Sequence, residues 1–324
     1  MTIKEQLRVL LEENRGTFIS GEDIARRLYC TRGAVWKAIT ELRNEGCVIE
    51  AVTNRGYSLV DSGDALSAAG ISRFLSREYG EVRALKTVGS TNAFLRSLAE
   101  KGAPEGTLVI SSEQTEGSGR RGRSFFSPAD TGLYMSVLLR PAFPAQEAVR
   151  MTTAAAVAVC LALEEVCGVK PTIKWVNDIY LDGRKVAGIL TEAAFGIENG
   201  ALEYAVVGIG LNVYPPKGGF PEEISETAGA VLSEKSPDMR NRLAAAIMDN
   251  FMTLYARLPD SGYLDEYRRR LMWCGEPILI LSGADGSKGT PATMLGVDER
   301  CGLIVKYNDG SEGVVSSGEI SIRK

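Results

Sequence analysis

A loop rich in glycine and arginine, residues 117–123, is the feature of this sequence that most restricts the possible folds. It reads Gly-Ser-Gly-Arg-Arg-Gly-Arg, follows a strand-like run at 107–111 and precedes Phe-Phe-Ser-Pro at 125–128. Its glycine spacing formally matches the dinucleotide-binding fingerprint, which requires a helix to begin at the last glycine. The proline and its neighbours disfavour such a helix. Since no Gly-x-x-x-x-Gly-Lys-Ser/Thr segment occurs either, neither a Rossmann fold nor a P-loop is expected.

The side chains of this loop indicate a binding site for anions. Arginine presents a planar, permanently charged fork that suits phosphate and carboxylate groups. The glycines let the backbone approach a ligand closely. We therefore predict that the loop holds a nucleotide next to a carboxylate that becomes activated. The alternative is a solvated basic loop that binds no ligand, or that binds nucleic acid nonspecifically.

The chain contains no histidine, and this restricts its chemistry. Nucleophile systems of the Ser-His-Asp and Cys-His types are excluded, as are zinc sites that contain histidine. Catalysis must then use arginine, lysine, carboxylates, amides and a hydrophilic metal such as Mg²⁺. The six cysteines form no Cys-x-x-Cys pair, so we expect buried or half-buried thiols in a reducing cytoplasm.

Length and charge set the broader limits. A chain of 324 residues accommodates two or three domains, and its formal net charge of −4 gives no overall attraction to nucleic acid. No run of eighteen apolar residues occurs, and the start of the chain lacks the apolar core of a signal peptide. We therefore expect a cytoplasmic protein without a membrane span.

The first domain, predicted at residues 1–62, has the pattern of a winged helix-turn-helix. Apolar residues at helical spacing predict helices at the start of the chain, after Ser20 and at 32–42, and alternation predicts strands at 47–52 and 56–59. Such a unit places its second motif helix in a major groove. The basic residues predicted to contact DNA are Arg32, Lys37, Arg43 and Arg55. A winged helix used for protein contact, or kept as a remnant, is the alternative.

The remaining chain divides into a central domain predicted at 66–272 and a C-terminal domain predicted at 275–324. Small polar residues at 61–68 read as a linker. In the central domain, residues 147–167 predict a buried helix, and Ser236-Pro237-Asp238 predict the cap of another. In the C-terminal domain, four apolar runs separated by glycine-rich turns, with a hairpin signal at Asp309-Gly310, predict a small β-barrel.

Two segments of the central domain combine polar side chains with a predicted helix start or tight turn. Ser90, Thr91 and Asn92 lie just before a predicted helix, where a hydroxyl could contact a ligand or only cap the helix. Asp182-Gly183 predicts a tight turn between two strands, with Lys185 at the start of the second strand. Lys185 is either a surface charge at a sheet edge or a functional cation.

Glycines in two predicted strands indicate close contact with a ligand. Gly188, shortly after Lys185, favours approach of a ligand to the sheet. Residues 205–213 read as an apolar strand interrupted by glycines, and Asn212 at its end could contact an adenine edge. The alternative for the latter strand is a bulged core strand that ends in a turn residue.

Together these segments resemble the family of bifunctional biotin–protein ligases and biotin-operon repressors. The order of the winged helix, Ser90-Thr91-Asn92, the loop at 114–123, Lys174-Trp175-Val176-Asn177-Asp178 and the strand at 208–212 matches that family over essentially the whole chain. The resemblance implies an α+β fold. It comprises an N-terminal winged helix-turn-helix, a central mixed α/β domain related to class II aminoacyl-tRNA synthetases, with a largely antiparallel sheet, and a C-terminal SH3-like β-barrel.

The reaction that the resemblance implies has two steps. Biotin and ATP form biotinyl-5′-AMP and pyrophosphate with Mg²⁺ present, and a lysine of a biotin carboxyl carrier protein then accepts the biotinyl group. Catalytic roles fall to Arg120, Lys185 and Asp178. The implied biotin-binding residues are Ser90, Thr91, Asn92, Gln114, Arg120 and Gly188. The implied residues for ATP and the adenylate are Gly117, Gly119, Arg121, Gly122, Arg123, Phe125, Asn177, Lys185, Gly210 and Asn212.

The resemblance also implies regulation. We expect the adenylate to order the loop at 117–125 and to drive formation of a homodimer, which would bind operator DNA through two winged helices. The sequence departs from the family at Ser118, where a basic residue is usual, and at Val176, where proline is frequent. Three alternatives stay open: a biotin-sensing repressor without ligase activity, a related lipoate ligase, and a ligase whose winged helix no longer binds DNA.

Overall fold

The structure, a computed structural model, describes residues 2–44, 46–61, 63–195, 202–282, 288–316 and 321–323. Within these ranges the strands form three sheets, of two, seven and five strands. Each sheet belongs to one of the three regions predicted from the sequence. No helix in the described ranges is both long and apolar enough to cross a bilayer.

The N-terminal region forms three helices and a hairpin, as predicted. Thr2 and Glu5 cap the first helix reciprocally, and Ser20 caps the second by accepting a hydrogen bond from the Asp23 amide at 3.0 Å. Leu7, Ile24 and Ile39 meet in a separate apolar core. The elements are α1 (Ile3–Glu13), α2 (Gly21–Arg27), α3 (Arg32–Asn44), β1 (Val48–Val52) and β2 (Gly56–Asp61).

The central region is built on the seven-stranded sheet, with strand order β3-β4-β5-β9-β8-β7-β6. Strands β3 and β4 are parallel and the other pairs are antiparallel, which confirms the prediction of a mixed, largely antiparallel sheet. The strands are β3 (Val82–Leu85), β4 (Leu108–Ser111), β5 (Gly132–Leu139), β6 (Thr172–Lys174), β7 (Asp178–Leu181), β8 (Arg184–Phe195) and β9 (Leu202–Asn212). The helices are α4 (Ala68–Phe74), α5 (Thr91–Ala99), α6 (Val149–Cys167), α7 (Met239–Tyr255) and α8 (Leu264–Arg269).

The two faces of the central sheet have different partners because side chains alternate along each strand. On one face Val207 and Ile209 join the large core that contains α6 and α7. On the other face Val109, Leu138 and Val206 pack against α5. Helix α6 is buried along most of its length, as its alanine-rich sequence predicts. The face that carries α5 is the less covered one, and it positions the candidate site described below.

The segment at 63–67, within the predicted linker, is bound closely to α7. The Gly63 carbonyl accepts a hydrogen bond from the Asp238 amide at 2.7 Å, and the Asn241 amide group donates to the Ala65 carbonyl at 2.9 Å. Asp64 forms an ion pair with Arg240 at 2.7 Å, in which both side chains are only 3% exposed. The segment therefore fixes the start of the central region.

The start of α7 differs from the prediction. The helix begins at Met239, and Asp238 precedes it in a left-handed conformation (φ 55°) without a side-chain cap. The carboxylate is used elsewhere, because it accepts hydrogen bonds from Arg15 of the N-terminal region and Arg73 of α4, both at 2.8 Å. An acid predicted to lie in the first turn of this helix thus joins two regions of the protein.

The C-terminal region is a five-stranded antiparallel sheet with order β13-β12-β11-β10-β14. Its strands are β10 (Pro277–Ser282), β11 (Lys288–Val297), β12 (Leu303–Tyr307), β13 (Glu312–Val315) and β14 (Ser321–Arg323). The hairpin at Asp309-Gly310 is confirmed, and β13 was not predicted. Residues 319–320 of the last predicted strand lie outside the described residues. Within the described ranges the sheet is open between its edge strands, so the SH3-like barrel stays a prediction.

The central and C-terminal regions share one apolar core. Met294 and Val305 of the C-terminal sheet belong to the same cluster as Ile173 and Tyr267 of the central region. Five of the six cysteines are buried or half-buried as expected, whereas Cys274, between the two regions, is exposed. The domain limits proposed from the sequence therefore cross a continuous core near residue 273.

We expect Asp64→Ala to lower the free energy of unfolding by about 3–5 kcal/mol, because the buried Arg240 guanidinium then loses its buried partner and keeps only the exposed Asp130 carboxylate, at 3.8 Å. Urea unfolding followed by circular dichroism measures this loss. Asp265→Ala is the matched control, since Asp265 pairs with Arg268 at 3.2 Å but its side chain is 91% exposed, and exposed ion pairs contribute little. Equal losses in the two variants would contradict the role given to burial.

Candidate active site

A cavity of about 150 Å³ lies on the α5 face of the central sheet, beside the first turn of α5 and beneath the glycine–arginine loop. Fourteen of the seventeen ligand-site residues predicted from the sequence line it. They are Ser90, Thr91, Asn92, Gln114, Gly119, Arg120, Arg121, Arg123, Phe125, Asn177, Asp178, Lys185, Gly188 and Gly210. The structure thus brings together residues from five separate segments of the sequence.

Glycines on neighbouring strands create the space for this cavity. The register pairs Gly188 of β8 with Gly210 of β9, and Gly208 lies two residues away on the same face. A Cβ atom added at Gly208 would lie 2.2 Å from Asn92 Oδ1, and one at Gly210 would lie 2.5 Å from the Phe125 ring. Larger residues at these positions would therefore fill the cavity or displace its walls.

One wall of the cavity is polar but uncharged. Gln114 Oε1 accepts hydrogen bonds from the Thr91 amide at 2.9 Å and from the Thr91 hydroxyl at 3.0 Å. The Gln114 amide group donates to the Ser127 hydroxyl at 3.1 Å, which fixes its orientation. Ser90 caps α5 by accepting a hydrogen bond from the Ala93 amide at 3.5 Å. Ser90 therefore both caps the helix and faces the cavity.

Asn92 also lines the cavity, and its side chain is held by the protein. Its amide group donates to Glu192 at 2.7 Å, and Ser136 Oγ lies 2.7 Å from its carbonyl oxygen. Ser136 Oγ is also 2.8 Å from the Thr91 hydroxyl. The sequence analysis missed Ser136 and Glu192, although the alternation of β5 and β8 places both on the cavity face.

The opposite end of the cavity is strongly cationic. Arg120, Arg121, Arg123 and Lys185 line it together with one carboxylate, Asp178. Lys185 Nζ lies 2.7 Å from Asp178 Oδ1, and Arg120 donates to Asn177 Oδ1 at 3.1 Å. Burial lowers the pKa of the Arg120 guanidinium from its ordinary value, and the nearby Asp178 carboxylate opposes this effect. Four cations against one anion make this end suitable for a ligand with several negative charges.

The glycine–arginine loop closes over the cavity as a compact flap, which we define as residues 117–125. The Phe125 amide donates to the Gly117 carbonyl at 2.8 Å, and the Gly119 amide donates to the Arg123 carbonyl at 2.7 Å. Arg121 adopts a left-handed conformation (φ 62°), which is unusual for a residue with a side chain. The Phe125 ring meets Tyr134 edge to face, with centroids 6.4 Å apart. The flap therefore rests on the sheet through an aromatic contact.

The segment that carries Asn177 and Asp178 is anchored from the C-terminal side. Trp175 Nε1 donates to the Cys301 carbonyl at 3.0 Å, and the Tyr267 hydroxyl donates to the Val176 carbonyl at 3.1 Å. The Asn177 amide group donates to the Ile189 carbonyl at 2.8 Å. These contacts make the position of Asn177 and Asp178 depend on the shared core.

Three predicted residues lie outside the cavity lining. Asn212 donates to the Gly229 carbonyl at 3.0 Å and so fixes the end of β9. Gly117 lies under the base of the flap, where a Cβ atom would be 2.4 Å from the Phe125 carbonyl oxygen, and Gly122 has a positive φ of 68° at its tip. Six lining residues were not assigned from the sequence: Ser118, Ser124, Ile189, Leu190, Gly208 and Ile209.

The predicted DNA-contacting residues have different surroundings. Arg32 and Lys37 are exposed on α3. The Arg43 guanidinium donates to the Ile49 carbonyl at 3.1 Å and so ties α3 to the hairpin. Arg55, in the turn of the hairpin, lies over the Phe18 ring at 4.2 Å. All four residues are exposed, but Arg43 and Arg55 also contact the protein itself.

Comparison with known proteins agrees with this arrangement. Residues 84–212 match the biotin/lipoate A/B protein ligase family, and residues 4–58 match a helix-turn-helix domain family. The chain is similar to the bifunctional ligase/repressor BirA of Bacillus spizizenii (38% identity) and of Bacillus subtilis (34% identity). In each case the match covers 98% of both chains.

A solved structure shows the same fold over three quarters of the chain. It is the biotin protein ligase from Aquifex aeolicus in complex with biotin and ATP, with 25% identity and a TM-score of 0.63. The match covers 75% of this chain and 99% of that one. The chain therefore belongs to the biotin/lipoate protein ligase family and, by its full-length similarity, to the bifunctional ligase/repressors within it.

We expect Gly208→Ala to lower the free energy of unfolding by about 1–3 kcal/mol, because the new methyl group would break the hydrogen bonds that hold Asn92. Urea unfolding measures the change. Gly33→Ala is the matched control, since a Cβ atom there would approach no atom closer than 3.9 Å. A Gly208→Ala protein as stable as the parent would show that the Asn92 side chain moves aside without cost.

Proposed function

We propose that the cavity binds biotin and ATP and joins them as biotinyl-5′-AMP, and that the biotinyl group then passes to a lysine of a carrier protein. The observation that carries this proposal is the polarity of the cavity, which has an uncharged hydrogen-bonding wall at one end and four cations at the other. A carboxylate and a polyphosphate repel each other. Cations fixed between them reduce this repulsion before the reaction begins.

The uncharged wall is suited to the ureido group of biotin. Ser90, Thr91 and Gln114 present hydroxyl and amide groups that donate and accept hydrogen bonds. Each such contact contributes about 0.5–1.5 kcal/mol when both partners are neutral. In this proposal the main role of Asn92 is indirect: through Ser136 it holds Thr91 in place for contact with biotin.

Arg120 and Lys185 face the carboxylate of biotin and the α-phosphate of ATP. The carboxylate oxygen attacks the α-phosphorus, the bond to the bridging oxygen breaks, and pyrophosphate leaves. Lys185 Nζ pairs with Asp178, so the incoming anions compete with that carboxylate for the ammonium group. Alignment of the two reactants contributes several further kcal/mol, on the order of 7 or more in favourable cases.

The nucleotide lies under the flap in this proposal. Phe125, whose ring rests over Gly210, offers that ring to the adenine. Asn177 and the remaining loop arginines surround the ribose and phosphates. No group of three or more Asp, Glu, Cys or His side chains in the described ranges could hold a metal. Mg²⁺ suits such a site only as an ion coordinated mainly by phosphate oxygens and water.

The second step forms an amide. The ε-nitrogen of the acceptor lysine attacks the biotinyl carbonyl carbon, the bond to the phosphate oxygen breaks, and AMP leaves. Since a lysine amine has a reference pKa near 10.4, it must lose a proton first. In the absence of histidine, Asp178 is the group in the cavity that we assign to this proton.

The wider assignment follows the family. We propose that a cytoplasmic homodimer forms when the adenylate orders the flap, and that it binds operator DNA through the winged helices. The domain limits at 1–62, 66–272 and 275–324, the relation to class II aminoacyl-tRNA synthetases and closure of the C-terminal sheet into an SH3-like barrel are parts of the same proposal.

We expect Arg120→Ala and Lys185→Ala each to slow adenylate formation about 100- to 1,000-fold, because each removes a fixed charge from the reacting phosphate. Release of pyrophosphate from biotin and ATP measures the first step, and transfer of radiolabelled biotin to a purified carrier domain measures both. Lys170→Ala, at an exposed position after α6, is the control. If the parent protein releases no pyrophosphate when given biotin and ATP, the ligase proposal is wrong.

We also expect biotin plus ATP to convert the protein from monomer to dimer, because ordering of the flap creates a pairing surface on the central sheet. Sedimentation velocity measures the change in mass. An ATP analogue with a methylene bridge between the α- and β-phosphates serves as the control, since it cannot form the adenylate. A protein that stays monomeric with both substrates would contradict the regulatory proposal while leaving ligase activity intact.

A further inference from the structure

The outer face of α3 carries an exposed aromatic residue that the fold does not use. The inner face, formed by Val35, Ile39 and Leu42, is buried in the N-terminal core. Trp36 projects from the other face and is 64% exposed. Contact of such a large apolar side chain with water is unfavourable, and burial against a partner would remove this cost.

Gly33 lies one helical turn before Trp36 on the same exposed face. An added Cβ atom would have only the Thr31 hydroxyl nearby, at 3.9 Å, which is ordinary van der Waals contact. Gly33 is the second residue of α3. Without a side chain at this position, the helix backbone is uncovered and open to close approach by an external molecule.

The charges around Gly33 and Trp36 indicate which kind of molecule binds to this face of α3. Arg32 and Lys37 are exposed next to Gly33 and Trp36, at the end of α3 that a helix-turn-helix directs into the groove. Tyr29, in the turn before α3, is 96% exposed. Cations that flank an apolar surface match a duplex, in which phosphates border the stacked base edges.

We propose that Trp36 contacts a thymine in the major groove of the operator, and that Gly33 allows the helix backbone to come close enough for this contact. Thymine presents a C5-methyl group and the O4 acceptor side by side. The indole presents an apolar surface and one N–H donor, so it can satisfy both. This inference rests on the proposed binding of operator DNA and extends it to the chemistry of one base pair.

The first experiment replaces single methyl groups in the DNA. A duplex selected from a random library by the full-length protein with biotin and ATP is resynthesised with each thymine changed in turn to uracil, which removes only the methyl group. At one thymine in each half-site we expect about a fourfold loss of affinity for the parent protein, from the hydration free energy of one methyl group. Trp36→Ala should bind the thymine duplex on the order of tenfold more weakly and show no further loss with uracil at that position.

The second experiment uses Gly33→Ala, whose two effects should have opposite signs. The variant should unfold at a higher temperature than the parent, because alanine favours the helix. It should nevertheless bind the selected duplex more weakly, because its methyl group occupies the space needed for close approach. The higher unfolding temperature excludes misfolding as the cause of weaker binding.

The outcomes separate this inference from the function on which it rests. If the parent protein selects no sequence over competitor DNA, the proposed operator binding fails and the inference fails with it. Suppose instead that the parent selects a sequence, and that replacing thymine by uracil weakens binding of Trp36→Ala as much as it weakens binding of the parent. In that case only the inference fails. Suppose finally that the parent protein loses affinity when guanine is replaced by 7-deazaguanine and loses none when thymine is replaced by uracil. That result would assign Trp36 to a purine and overturn the choice of thymine.

Discussion

The candidate site depends on a steric constraint, the absence of side chains at Gly208 and Gly210 of β9. Strand β5 supplies Tyr134 and Ser136 at the paired positions, whereas β8 supplies Gly188 opposite Gly210, so the gap in the sheet face spans two strands. Asn92 reaches into the space over Gly208, and Phe125 rests over Gly210. The hydrogen-bonding wall and the flap thus both rest on the same strand, although they come from separate parts of the sequence.

The rigidity of the cationic end comes from outside the cavity. The carbonyl groups of Val176 and Cys301 accept hydrogen bonds from Tyr267 and Trp175, which belong to the shared core of the central and C-terminal regions. Burial disfavours the charged form of a guanidinium group, and it lowers the pKa of Arg120. The C-terminal sheet therefore contributes to the site without lining it.

The sequence alone predicted those elements whose structure is decided by local patterns. The helices around Ser20 and in α6, and the tight turn at Asp182-Gly183, follow from caps, apolar spacing and turn chemistry. Most of the cavity-lining residues were predicted from the family resemblance and from the glycine–arginine loop. Ser136 and Glu192 were missed because their roles arise only when β5 and β8 come together with α5. Asp238 was taken as part of a helix cap because its partners, Arg15 and Arg73, are distant in the sequence.

The contact of Asp238 with Arg15 and Arg73 has a further consequence. The N-terminal unit is joined to the rest of the chain by this carboxylate and by the segment at 63–67, which is bound to α7. These contacts oppose free rotation of the unit about its linker. In the dimer proposed above, two copies that meet through their central sheets would present their α3 helices at one separation and one angular phase. The distance between half-sites on a duplex would then be set by protein packing, and DNA of another helical repeat would have to twist to fit.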